Sequence, residues 1–194
     1  MNAQPQENIP MMPEEYLEFD KNSEIRHEYF DGEIFAMTGA SLDHNQLNHN
    51  INRILGNQLL DGNCRVFASD MRVKVEKIDK YTYPDISVVC GAIELEMVKG
   101  VETILNPVVI IEILSDSTEA YDRGQKFTHY RLMPSLKEYL LVSQSNCQVE
   151  KFLRKKDGSW NMTSYDDLKQ SIKIESIGCE LLLSDIYRWV SFKK

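Results

Sequence analysis

Apolar residues recur at Leu47, Ile51, Ile54, Leu55 and Leu59, the spacing that lays one stripe along a helix. This predicts an amphipathic helix over 41–60. Asp43 followed by Gln46 resembles a capping box at its start, and Asp61-Gly62 supplies the stop. Its opposite face carries Asn45, Asn48, Asn52 and Arg53. Two further runs, 83–90 and 108–114, are almost unbroken in apolar residues, which predicts strands covered on both faces. A punctuated strand is expected over 65–75 and another over 138–143. Asp157-Gly158 marks the turn of a hairpin between 148–153 and 160–165, and Asp31-Gly32 marks one within RHEYFDGEIFAM.

Between these elements the pattern is weaker. Residues 1–12 are polar with two prolines and read as a flexible arm. Pro13 opens a short helical turn over 14–19. The stretch 91–107 reads as a long, mostly acidic connection. Asp116 with Glu119 is placed to cap a second helix that Pro134 ends after Met133, and Ser115 and Ser117 read as capping residues. SDIYRWV gives a final helical turn. The order is helix, three strands, helix, strand and an extra hairpin, which makes an α/β (α+β) mixed sheet with helices on its faces. No repeat or linker divides the chain, so residues 13–194 form one domain.

Composition narrows the setting. The chain has 194 residues, 42% hydrophobic and 27% charged, as expected of one globular domain. It lacks an apolar run of about 18 residues, so neither a transmembrane helix nor a membrane partner is predicted. The first residues have no basic segment followed by an apolar one, so a cytoplasmic location is expected. Cys64, Cys90, Cys147 and Cys179 form no C-x-x-C pair, which excludes a zinc ribbon. Cys90 and Cys147 read as small buried hydrophobes in a reducing compartment. The net charge of −8 weighs against nucleic-acid binding unless basic residues gather on one face or metal ions take part.

The candidate chemistry lies in two acids that interrupt apolar strands, Asp85 in YPDISVVC and Glu112 in VVIIEILS. A buried unpaired charge is costly, so each needs a partner. If the two strands are antiparallel neighbours, the start of one lies beside the end of the other, and opposed residues sit about 5 Å apart at Cβ. Carboxylates that close repel unless a cation lies between them, and a divalent ion with oxygen ligands fits. Lys126, on the helix after Glu112, could aim its ammonium at the same place to act on water or on phosphate charge. Each residue also has a structural role open to it. Asp85 could start a strand after Pro84, Glu112 could pair with Arg72, and Lys126 could bond Asp122 four residues earlier. His44 and His49 are five apart, not the four that puts two ligands on one helical face. Asn45, Asn48 and Arg53 either line a cleft or face water. No G-x-S-x-G, P-loop or dinucleotide fingerprint occurs.

The segments YPDISVV and IIEILSDSTEAYDRGQKFTHYR, with EYFDGEIFAM, SDMRV and GCELLLSDIY around them, resemble the Uma-two family of restriction-endonuclease-like proteins. That family is part of the PD-(D/E)xK nuclease superfamily, and the likeness runs from about residue 14 to residue 190. The resemblance implies a restriction-endonuclease-like αβββαβ core with an N-terminal hairpin and an extra C-terminal β-hairpin. It also implies DNA as substrate, Mg2+ or Mn2+ as cofactor, and a homodimer. Pro84-Asp85 matches the motif's Pro-Asp, and Glu112 its second acid, so Asp85 and Glu112 become the metal ligands. The motif's lysine falls at Leu114, and Lys126 matches a lysine on the following helix that takes over. The superfamily often adds an earlier acid. Glu33 is the candidate, with Glu28 the alternative, although both could equally be surface residues of the hairpin. The competing function is a catalytically silent module that binds nucleic acid or a protein partner. Its motivation is the acidic charge and the displaced lysine.

Overall fold

The structure, a computed structural model, describes residues 10–37, 39–115 and 118–192. Most of the expected flexible arm and the capping residues Asp116 and Ser117 lie outside them. Along the chain come α1 (Pro13–Asn22), β1 (His27–Phe30), β2 (Glu33–Ala36), α2 (Leu42–Gln58), β3 (Cys64–Ala68), β4 (Val73–Val75), β5 (Lys80–Thr82) and β6 (Ile86–Cys90). Next are β7 (Leu95–Val98), β8 (Val101–Ile104), β9 (Val109–Leu114), α3 (Glu119–Tyr121), a π-helical turn (Asp122–Lys126) and α4 (Phe127–Tyr130). The chain closes with β10 (Glu138–Ser143), β11 (Val149–Arg154), β12 (Trp160–Tyr165), β13 (Ser171–Ile174), β14 (Cys179–Leu182) and α5 (Leu183–Ile186).

The central sheet has the order β12-β11-β10-β9-β6-β3. Only β9 and β10 pair in parallel there, so the sheet is mixed. It contains the expected αβββαβ path, with α2, then β3, β6 and β9, then the helical stretch, then β10. Its two faces follow the strand period of two. On β9, Val109, Ile111 and Ile113 point into one core with Leu47, Ile51 and Leu55 of α2 and with β13, β14 and α5. Ile110 and Leu114 point into the other, with Phe127, Tyr130 and Tyr139. Each fully buried aliphatic side chain of α2 contributes about 1.5–3 kcal/mol of transfer free energy. Its N-terminus is capped by Ser41, whose Oγ accepts from the His44 N–H, and not by Asp43 with Gln46.

A second six-stranded sheet, β2-β1-β5-β4-β8-β7, was hidden in the sequence. The predicted strand over 65–75 is two strands in different sheets, split at Asp70-Met71. The predicted connection over 91–107 holds the β7–β8 hairpin. Strands of three or four residues, each broken by a charged residue, give no apolar run to read. The N-terminal hairpin β1–β2 turns at Asp31-Gly32, both at positive φ, and belongs to this sheet. It is packed by a cluster of Tyr16, Leu17, Tyr29 and Tyr81. Cys64 and Cys90 oppose each other across β3 and β6 and form a disulfide. Cys90 is therefore not the free thiol expected, whereas Cys147 and Cys179 are free. Disulfides are rare in reducing compartments, so this bond and the cytoplasmic expectation pull in opposite directions. No helix among the described residues is long and apolar enough to cross a membrane.

Arg72 fastens α1 to the second sheet. It is buried, ion-paired with Asp20 at 3.2 Å and bonded to the Thr103 hydroxyl at 2.9 Å. Asp20 also accepts from the His27 N–H and the Tyr83 hydroxyl. Arg72→Ala should cost about 3–5 kcal/mol in urea unfolding, because it leaves the Asp20 charge buried without its cation. A loss below about 1 kcal/mol would show that the pair is not what holds α1. The double change Arg72→Met with Asp20→Leu should cost less than Arg72→Ala alone.

Candidate active site

The register of β6 on β9 builds the site. Ile86 opposes Ile111 and Ser87 opposes Ile110, so one step further Asp85 opposes Glu112. Both acids fall on the face that looks toward the helical stretch and the second sheet. The Asp85 N–H donates to Glu112 Oε2 at 3.3 Å, and the Ile113 N–H donates to Asp85 Oδ2 at 2.7 Å. From above, Lys126 reaches Glu112 Oε1 at 2.9 Å, and the Tyr130 hydroxyl donates to the same oxygen at 2.9 Å. Lys126 also lies 3.5 Å from Asp122. In a regular α-helix, positions four apart drift by about 40°. The wider π turn takes up this drift, so Asp122, Lys126 and Tyr130 all face the acids. Such turns recur at functional sites.

The second sheet supplies a further acid. Tyr29 opposes Tyr81 across β1 and β5, so the positions flanking them face the other way, toward Lys126. Glu28 there accepts from the Thr82 hydroxyl at 2.5 Å and lies 3.4 Å from the Lys126 ammonium. Glu33 is on the same face of the hairpin but exposed, further out, and forms no ion pair with Lys126 among the described residues. Asp85, Glu112, Lys126 and Glu28 thus come together, and Glu33 stands at the rim. Arg72 is committed to Asp20 and does not pair with Glu112.

Charge is unevenly settled here. Burial alone would lower the Lys126 pKa, but Glu112, Glu28 and Asp122 hold it well above the usual lysine range. Burial would raise Glu28, yet Lys126, Lys80 and the Thr82 bond hold it below its ordinary value. For Glu112 burial prevails, and with Asp85 and Asp122 nearby its pKa is pushed up to about 8 despite Lys126. One ammonium shared by three carboxylates cannot satisfy all of them, and Glu112, the most deeply desolvated, is the one that takes up a proton most readily. Asp122 is raised in the same way.

One member of the site, Lys80, was not singled out by the sequence, whereas Asn48 was expected either to line a cleft or to face water and does line it. Lys80 is buried against the Tyr121 hydroxyl and 3.2 Å from His129 Nδ1, and burial together with Lys126 lowers its pKa to about 8. The signal was the alternation of Lys80 and Thr82 across KYT, which puts both on the face of Glu28. On the other wall, His44 Nε2 is 3.2 Å from Asp85 Oδ1, and the Asn48 amide donates to the Asp85 carbonyl at 3.1 Å. Their four-residue spacing makes one clamp on Asp85. The pairing His44–Asn48 carries that geometry, and His44–His49 does not.

Asp85, Glu112, Asp122 and Lys126 form the floor of a cleft of about 1120 Å³ between the β1–β2 hairpin and the start of α2. Among the described residues, no three His, Cys, Asp or Glu side chains converge as a ready-made metal cage. The donor set nevertheless fits a hard cation. Asp85 and Glu112 offer carboxylate oxygens from opposed positions, no cysteine lines the cleft among the described residues, and the acids there outnumber the one lysine. Two carboxylates completed by water are a usual arrangement for magnesium.

The Uma2 family, described as "Putative restriction endonuclease", matches residues 13–184. This chain belongs to the Uma2 family. Two Synechocystis proteins are close relatives, both described as uncharacterized. The first, slr1290, is 36% identical over 182 residues, covering 94% of each chain. The second, sll1609, is 36% identical over 150 residues, covering 77% of this chain and 84% of its own. The fold of this Uma2 chain is also that of a crystal structure from Anabaena variabilis, described as "a putative nuclease belonging to DUF820". The two agree with a TM-score of 0.76 at 18% identity, over 94% of this chain and 100% of the other.

The raised Glu112 pKa has a measurable sign. Between its ordinary value and about 8 the folded state holds a proton that the unfolded state has lost. This contribution to stability is present at low pH and disappears as pH rises through about 8. The metal-free protein should therefore lose stability over that window, and Glu112→Gln should flatten the loss. Unfolding curves from pH 5 to pH 9 test it, and identical slopes in the two proteins would refute the assignment.

Proposed function

We propose that the protein is a metal-dependent endonuclease that hydrolyses phosphodiester bonds in DNA. The observation that carries this reading is the meeting of Asp85 and Glu112 in register beneath the Lys126 ammonium, at the floor of a cleft. A magnesium or manganese ion held by these two carboxylates would polarise the phosphate and lower the pKa of a bound water. The chain's own residues then have distinct tasks. Asp85 is oriented from two sides, by the Ile113 N–H and by His44, with Asn48 fixing its backbone. Tyr130 and Lys126 hold Glu112. With three carboxylates about it, Lys126 stays protonated, so it serves as a fixed positive charge for a phosphate oxygen and not as a base. Family and fold support a nuclease. The metal and the DNA substrate are the part proposed.

Purified protein should cleave DNA in manganese or magnesium. Asp85→Ala and Glu112→Ala should abolish cleavage, and Lys126→Met should slow it about 100-fold or more. Gel assays on single-stranded and duplex DNA check this. If calorimetry shows metal bound through Asp85 and Glu112 but neither DNA is cut, the non-catalytic reading replaces this one.

A further inference from the structure

The walls of the cleft differ from its floor. The β1–β2 hairpin presents Glu28, Phe30, Glu33 and Phe35 on one face, since Glu28 opposes Phe35 and Phe30 opposes Glu33. Phe30 is fixed in place, with its ring 4.6 Å from His129 and the Lys80 ammonium 5.4 Å from its centroid. Phe35 is 47% exposed on an edge strand and has no aromatic neighbour among the described residues. The facing wall carries the exposed amide of Asn45, and Gln125 flanks the floor.

The charge inventory is equally marked. Glu28, Asp31, Glu33, Asp85, Glu112 and Asp122 all line the cleft, and Lys126 is its only lysine or arginine among the described residues. Arg26 stacks on Tyr83 but does not line the cleft. Lys137 and Arg154 bond the carbonyls of Pro134 and Arg131 after the helical stretch. Proteins that grip duplex DNA neutralise several phosphates with Lys and Arg along the backbone. This cleft offers one lysine and whatever metal its acids hold. Single strands carry a lower charge density, and stacking their bases on aromatic rings adds affinity whatever the sequence, so fewer cations are needed beside it. The volume is above the usual range for a small-molecule pocket, which suits an elongated ligand.

We propose that the cleft takes single-stranded DNA, with a base stacked on Phe35 while one phosphate reaches Asp85, Glu112 and Lys126. This deepens the endonuclease reading and rests on it for the identity of the ligand. Cutting a single strand needs one reactive centre, so each protomer suffices by itself.

The test compares a fluorescently labelled twelve-nucleotide strand with its duplex. Binding to the full-length protein is read by anisotropy in calcium, and cleavage by gel in manganese. The single strand should bind at least about ten-fold tighter and be cut faster. Its log affinity should fall with log salt by a slope of about −2 or shallower. Phe35→Ala should weaken binding at least about five-fold, and Phe35→Tyr should retain it. Phe35 is half exposed, so a merely structural role would not give this pair of results. Duplex binding as tight as the strand, binding of neither, or a slope near −5 overturns the proposal. So does an unchanged strand affinity in Phe35→Ala, whether or not sedimentation shows altered self-association. A strand that is bound but never cut would sink the hydrolytic reading and leave this one standing. Preferential cutting of duplex would do the reverse.

Discussion

One ammonium among three carboxylates governs this site. Lys126 lies within 3.5 Å of Glu28, Glu112 and Asp122, which come from three separate parts of the fold. Burying such charges is costly unless they are paired and hydrogen-bonded. Here the hydroxyls of Thr82 and Tyr130 supply the added bonds. The cluster ties the second sheet, the central sheet and the helical stretch to one point. Because it contains more acid than base, it is also the place where the fold is electrostatically incomplete. That incompleteness, seen in Glu112, is what a bound cation would relieve.

The two sheets divide the labour. The central sheet brings Asp85 and Glu112 together by register, with Glu112 inside β9 and Asp85 immediately before β6. The second sheet contributes Glu28 and Lys80, and its outer hairpin forms a wall of the cleft. α1 and Arg72 brace that sheet from behind. A site spread over both sheets is sensitive to their mutual packing, and the core containing Val73, Ile104, Tyr130 and Tyr139 joins them directly beneath it.

Much of this was legible in the chain. Acids inside apolar strands are conspicuous, because burial makes each demand a partner, and the antiparallel pairing on which their meeting was conditional is the one the sheet has. The amphipathic α2 was plain from its stripe. Most of the second sheet was not, because strands of three or four residues, each with one charged residue, carry little periodic signal. For the same reason Lys80 passed unnoticed, and Glu28 ranked behind Glu33 although the hairpin face gives them different depths. The Cys64–Cys90 pairing depends on register, which spacing along the chain does not reveal.

The position of the lysine follows from packing. Two residues after Glu112, on the same face of β9, stands Leu114, and its side chain lies in an aromatic layer with Phe127, Tyr130 and Tyr139. An ammonium there would be buried against rings and aliphatic side chains, at a cost that the single carboxylate of Glu112 would not offset. Supplying the charge from the helical stretch brings it in over Glu112 from the open side, where Asp122 and Glu28 share it. The π turn makes this possible by keeping Asp122, Lys126 and Tyr130 in one line of sight. Leu114 and Lys126 are therefore two parts of one arrangement, in which the strand keeps its core contact and the helix carries the cation.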